Sequence, residues 1–196
     1  MLIFITVLML NVWAIPADDL FLPKIDITEV LGKMEIMETR LESMVKEMER
    51  QRTENTAPKV AFSASLLTSI GPQSVGPFND LHTLIYKHIF LNTGNAYDAN
   101  TGIFTAPVRG VYAFGVFSKA FGNSLKAVTA GLFKNDQHII STHGHQAGGF
   151  ISTSNGVSLL LEEGDKVKVN LYPGQWIFDN GEHHHSTFSG HLLFPM

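Results

Sequence analysis

The residues of this chain best suited to chemistry are its histidines. Nine occur, and all of them lie between His82 and His191. The densest group is the run His183-His184-His185, and the acidic residues near it are Asp179 and Glu182. Imidazole nitrogen suits zinc and related divalent ions. Alternate residues of an extended segment share a face, so His183 and His185 could clip an ion between two nitrogens. His143 and His145 repeat that spacing. Calcium wants a shell of oxygens, and this segment offers few. The candidate metal ligands are therefore His183, His185, Asp179 and Glu182, with zinc or calcium as the ion. A solvated polar loop accounts for the same residues without a metal. No other cofactor is expected. Histidine also titrates near neutrality. Residues 60–196 hold 7 Lys+Arg and 8 Asp+Glu. Acidification from about pH 7 to about pH 5 would therefore turn exposed parts of this region basic.

Catalytic patterns are missing. The chain has no G-x-S-x-G, H-E-x-x-H, P-loop or G-x-G-x-x-G motif. It has 0 Cys, which excludes thiolate nucleophiles, thiolate metal sites and disulfide frameworks. Ser, His and Asp are present, but no spacing brings them together, so no enzyme is expected and a secreted hydrolase is the rival reading. Tyr172, Trp176 and Phe178 fit either loop aromatics at a binding surface or ordinary core residues.

Three segments must position these residues. Composition bounds them first: 196 residues with 44% hydrophobic and 16% charged side chains are too apolar for a disordered chain. A net charge of −4 argues against nucleic acid as a partner. Residues 1–17 read as a signal peptide. Residues 2–13 are almost all apolar, too short a run to span a bilayer comfortably, and the small residues Ala14 and Ala17 offer cleavage points. An uncleaved anchor is the alternative. The expectation is a secreted, extracellular protein with no membrane insertion.

Residues 25–52 shift to Glu, Lys, Arg and Met. Ile27, Val30, Met34, Met37, Leu41, Met44 and Met48 alternate in spacings of three and four. That is a heptad seam, with Ile27, Met34, Leu41 and Met48 at a and the others at d. Lys33 with Glu38, and Glu47 with Arg52, would pair between parallel helices. One amphipathic helix packed on its own domain would give much the same period. Residues 53–59 read as a linker, since Pro58 forbids helix.

Residues 60–196 read as an all-β head, with short β-rich runs punctuated by Gly, Asn, Asp and Pro. The expected strands are 60–67, 83–91, 102–106, 110–121, 127–134, 138–142, 156–161, 166–171 and 187–194. Along 110–121, Tyr112, Phe114 and Val116 line one face, while Val111, Ala113 and Phe117 line the other. A strand apolar on both faces is covered on both, by a second sheet and by a neighbouring subunit.

The ordered residues of this head resemble the complement C1q globular-head family. Phe62 lies in the opening strand 60–64. Phe90-x-Asn92-x-Gly94-x-x-Tyr97, Gly102-x-Phe104-x-Ala106-Pro107 and Gly110-x-Tyr112-x-Phe114 follow. Gly164-Asp165-x-Val167-x-Val169 and Ser186-Thr187-Phe188-Ser189-Gly190-x-Leu192-Leu193 complete the series. The resemblance covers essentially all of 59–196. It implies a two-sheet antiparallel jelly roll, shared with the tumour necrosis factor superfamily, assembled as a homotrimer and preceded here by the helical coil. These signature residues are expected in or around the core. The chain departs from collagen-stalked members, since it has no Gly-X-Y run. Calcium-binding relatives carry Asp and Asn where this chain has His183-His184-His185.

The function expected from the resemblance is multivalent recognition of microbial or cell-surface ligands, glycan or protein, in innate immunity. The alternative is a cerebellin-like extracellular ligand for a cell-surface receptor. Specificity would sit in loops 71–80, 122–125, 144–148 and 173–184.

Overall fold

The computed structural model describes residues 26–196, which divide after Thr56 into two compact units. The signal-peptide reading lies outside the described residues.

The first unit is helix α1 (Ile27–Thr56). Asp26 caps it, its Oδ1 accepting the backbone N–H groups of Thr28 at 2.9 Å and Glu29 at 3.3 Å. The helix runs four residues into the expected linker, since Arg52 is followed by Thr53 to Thr56 before Pro58 breaks it. The hydroxyls of Thr53 and Thr56 donate back to the Glu49 and Arg52 carbonyls, both at 2.9 Å. Every seam residue is exposed, from Val30 at 43% to Ile27 at 71%. Within the chain, Lys33 pairs with Glu29 at 2.5 Å and Glu47 with Arg50 at 2.7 Å, the helical neighbours nearest to hand.

The second unit is built from thirteen strands in two antiparallel sheets. In chain order they are β1 (Ala61–Ser65), β2 (Pro72–Val75), β3 (His82–Thr83), β4 (His88–Thr93), β5 (Tyr97–Asp98), β6 (Ile103–Thr105) and β7 (Gly110–Phe121). They continue with β8 (Val128–Lys134), β9 (Gln137–Gly144), β10 (Phe150–Leu161), β11 (Lys166–Leu171), β12 (Ile177–Asn180) and β13 (Thr187–Pro195). One sheet runs β2-β12-β7-β13-β1-β4, with β10 on the other side of β7. The second runs β5-β6-β11-β8-β9, with β3 against β11. Neighbours far apart in sequence, such as β1 and β13, pair in register from Ala61↔His191 to Ser65↔Thr187.

The expected fold class holds, and several strand boundaries move. The expected strand 83–91 is two strands in different sheets, because the chain crosses the core at buried Leu84 and Tyr86. Strands β2 and β12, which pair with each other, lie in segments read as loops. Pro72, Gln73 and Ser74 are exposed and carry no apolar signal. Strand β10 begins six residues before Gly156, where Ser152, Thr153 and Ser154 dilute the pattern. Strand β5 falls between the expected strands 83–91 and 102–106, held by two residues against β6.

Between the sheets the signature aromatics meet. The Phe62 ring stacks on Tyr97 at 4.6 Å and on Phe104 at 5.3 Å, and meets Phe188 edge-on at 4.8 Å. Phe104 contacts Tyr112 and Phe114 edge-on at 5.5 and 5.3 Å. All six are buried. The Tyr97 hydroxyl donates to the Tyr86 carbonyl at 3.0 Å, and Asn92 closes the turn by donating to the Tyr97 carbonyl at 2.8 Å. Glycine is required at 190: a Cβ there would meet the Phe114 ring at 2.5 Å and the Phe62 ring at 2.7 Å. Gly102 turns with φ +74, and Gly110 lies against Leu192 and Phe194. Pro107 and Gly164 are turn residues at the surface, Leu192 is half-buried, and Asp165 ties a turn together. Phe90 departs from the core expectation. It lies at the irregularity between β4 and β1 and is 51% exposed.

Candidate functional site

The histidine loop joins β12 to β13 and is built on Asp179. That residue is buried, and its carboxylate is engaged by backbone N–H groups. Its Oδ1 accepts from His185 at 2.7 Å and Ser186 at 3.3 Å, and its Oδ2 from Leu67 at 3.0 Å. Asp179 therefore shapes the loop. Glu182 and His183 are exposed at the tip. The His183 and His185 rings lie parallel, 5.7 Å apart at an interplanar angle of 6°. Parallel rings at that spacing stack, whereas a shared ion needs ring nitrogens converging to about 2.0–2.1 Å from it. Among the described residues no three His, Asp or Glu groups are placed to hold a metal. The expected set His183, His185, Asp179 and Glu182 is thus not assembled within one chain.

His184 turns the other way, with φ +50. Its Nδ1 lies 2.7 Å from the Ser65 hydroxyl, and its ring stacks on His88 at 4.3 Å and meets Phe90 at 4.9 Å. A Ser–His pair is thus present that no spacing in the sequence announces. Ser65 is fully buried beneath the ring, so the pair anchors the loop to β1 and offers no open nucleophile. Of the three loop aromatics, Phe178 is buried, while Tyr172 and Trp176 are half-buried.

His185 lies beside Lys119 on β7, with Nδ1 3.4 Å from the ammonium. Burial, with Lys119 next, holds its imidazole below the usual range, while Asp179 pulls upward and His183 downward. The Lys119 ammonium sits 4.7 Å from the Phe150 ring centroid and 5.8 Å from that of Phe178. Phe121, Phe150 and Phe178 form one aromatic cluster, with centroids 4.6 to 5.2 Å apart.

A second surface feature is the outer face of β4-β1-β13-β7-β10. Register aligns Gly156, Gly115, Ser189, Ser63 and Leu91 across it. The next row is Ser158, Ala113, His191, Ala61 and Thr93, and beyond it lie Leu160, Val111 and Phe194. The Phe117 ring lies over Gly115 and is half exposed. None of these residues carries a fixed charge. Sequence reasoning reached the β7 residues of this face, and missed Phe121, Phe150 and Lys119.

Two antiparallel sheets in this strand order around one aromatic core define a jelly roll of the C1q and tumour necrosis factor type. A profile of the C1q domain matches residues 61–193, and the chain belongs to that family. It is 34% identical over 138 residues to complement C1q tumor necrosis factor-related protein 3 of Mus musculus, covering 69% of this chain and 52% of that protein. The Homo sapiens protein of the same name matches equally, at 34%. The chain thus spans about half the length of the curated relatives it matches. Among solved structures, the globular domain of zebrafish complement 1qA superimposes with TM-score 0.52 at 21% identity, over 70% of this chain and 99% of that one. Eiger TNF from S. frugiperda gives 0.55 at 16%, over 71% and 95%. These two likenesses concern the fold.

Proposed function

We propose that the chain acts as a secreted, homotrimeric, non-enzymatic binding protein that recognises microbial or cell-surface ligands. The observation that carries this reading is the outer face of β4-β1-β13-β7-β10. A strand with one face to water sets its charged residues on that face and its apolar residues on the other, as β11 does with Lys166 and Lys168 outward and Val167 and Val169 inward. The outer face instead sets small residues beside exposed Leu91, Phe117, Leu160 and Phe194. Small residues let a neighbouring backbone approach, and the large ones supply apolar area. A second copy of the same head offers a surface of matching character, and closed rotational symmetry limits the number of copies. The exposed seam of α1 supports the same assembly, since three such helices would bury it together. Trimerisation would multiply weak single-site contacts by an avidity factor of ~10²–10⁴. Secretion rests on the apolar run at 2–13.

Sedimentation of protein recovered from culture medium tests the assembly. Three chain masses are expected, and Phe117→Asp should shift the protein toward single chains. A monomeric native protein would overturn the reading. N-terminal sequencing should begin after Ala14 or Ala17, and a retained Met1 would count against the signal peptide. Binding to microbial glycans favours the immune role. Binding confined to animal-cell membranes favours the receptor-ligand alternative.

A further inference from the structure

The central rows of the outer face hold no Asp, Glu, Lys or Arg, and the titratable side chains on them are histidines. His191 lies in the middle of one row, between Ala113 and Ala61, with Ser158 and Thr93 beyond them. It is exposed. Another row aligns Ser154, Phe117, Thr187, Ser65 and His88. His184 reaches over Ser65 from the β12–β13 loop and stacks on His88 at 4.3 Å. His88 and His184 are both half-buried.

Charge enters only where this face ends. Beside His191, β7 presents Gly115 and Val111, and β1 presents Ser63. Two residues before Ala61 stands exposed Lys59, a cation that adds to repulsion of a protonated His191. Beyond Val111 and Leu160 the Arg109–Glu162 pair closes on itself at 3.0 Å. Lys119 lies beyond Phe117 at the opposite end. Around the stacked pair, Phe90 meets both rings at 4.8 and 4.9 Å. Lys87 precedes His88 in the chain, and the loop adds Glu182, His183 and His185. Asp179 of that loop is engaged by backbone N–H groups. Among the described residues, no carboxylate lies within ion-pair distance of His88, His184 or His191.

We propose that assembly of the heads is proton-linked through these histidines, His191 foremost, so that the trimer holds at neutral pH and comes apart on acidification. The inference rests on the proposed assembly and names its regulation. A neutral imidazole is tolerated among alanines and serines. An imidazolium needs an anion or water, and this face supplies neither once a neighbouring copy covers it. Protons therefore bind the free chain better than the trimer, and by linkage a falling pH favours the free chain. His88 and His184 act in the same direction. Two stacked rings resist carrying two like charges, so acid loosens the loop from β4 at the rim of the same face.

Sedimentation of the full-length native protein at about pH 7.5 and about pH 5.5, at one ionic strength and over a range of concentrations, tests this. The trimer should dominate at the higher pH. Its dissociation constant should rise ~10²–10³-fold at the lower one, since each copy of a histidine kept neutral by assembly contributes up to about tenfold. The β signal of the head in dichroism should be the same at both. His191→Gln, polar but without a titrating proton, should lose most of this response and stay trimeric in acid. His191→Lys should give single chains at both pH values. His138→Gln, on β9 of the other sheet, should respond as the native protein does. A trimer equally tight at both pH values, or a His191→Gln variant that dissociates in acid as strongly as the native protein, would overturn the proton linkage and leave the assembly standing. Native protein found as single chains at both pH values would overturn the assembly, and the linkage with it.

Discussion

At the scale of single residues, two positions carry more than their size suggests. Gly190 is the point where two aromatic rings close over the backbone of β13. Gly190→Val would push on Phe114 and Phe62 together, and should destabilise the head by about 2 kcal/mol or more in urea unfolding. Asp165 ties the turn before β11. It accepts from Asn135 at 2.7 Å and from the Glu162 N–H at 2.9 Å, and pairs with Lys134 at 2.8 Å. The Lys134 ammonium, then Asn135, hold its carboxyl down at about 2, against 3.8 for a free side chain. A lowered carboxyl contributes stability that is fully present above the unfolded value and lost as pH falls through the folded one. Melting temperature should therefore drop from about pH 4 to about pH 2, and Asp165→Ala, at a cost of about 1–2 kcal/mol, should flatten that slope. His185 acts in a higher window. Its folded value lies below the free value of 6.5, so its contribution is full above that pH and fades below it. His185→Gln should remove this loss from a melting-temperature profile. Phe62, Tyr97, Phe104, Tyr112, Phe114 and Phe188 were legible in sequence through the resemblance of their ordered motifs to the family. Lys119 was not, since its partners arrive from residues 150, 178 and 185 on separate strands and loops.

Among the elements, those with strong periodicity were the legible ones. Helix α1 announces itself by unbroken three-four spacing, and β11 by clean alternation of Val167, Val169 and Leu171 with Lys166 and Lys168. Strand β2 was hidden because it closes one sheet at its edge with Pro72, Gln73 and Ser74 exposed, and β12 because its four residues, with Ile177 and Phe178 buried, are too short a run to show a period. Strand β10 was half hidden, since its first positions carry Ser152 and Ser154 on the outer face and Thr153 on the inner one. The seam of α1 makes its own prediction. Leu41→Asp at the middle a position should lower the helical signal in far-ultraviolet dichroism while leaving the β signal and melting of the head intact. If the helix is indifferent to that change, the seam does not hold it.

At the scale of the molecule, the outer face of β4-β1-β13-β7-β10 and the seam of α1 leave apolar surface exposed on each of the two units. The chain holds 7 Met, and four of them, Met34, Met37, Met44 and Met48, lie along that seam. The head has only Met196 and no Cys. Peroxide converts a thioether to a polar sulfoxide by transferring one oxygen atom and releasing water. An oxidising burst outside the cell would therefore strike the stem and largely spare the head. Brief peroxide treatment should reduce the helical signal while the head keeps its melting transition, and methionine sulfoxide reductase should restore it. In the proposed trimer, each head would come through chemically intact, but with its stem no longer holding it to the others.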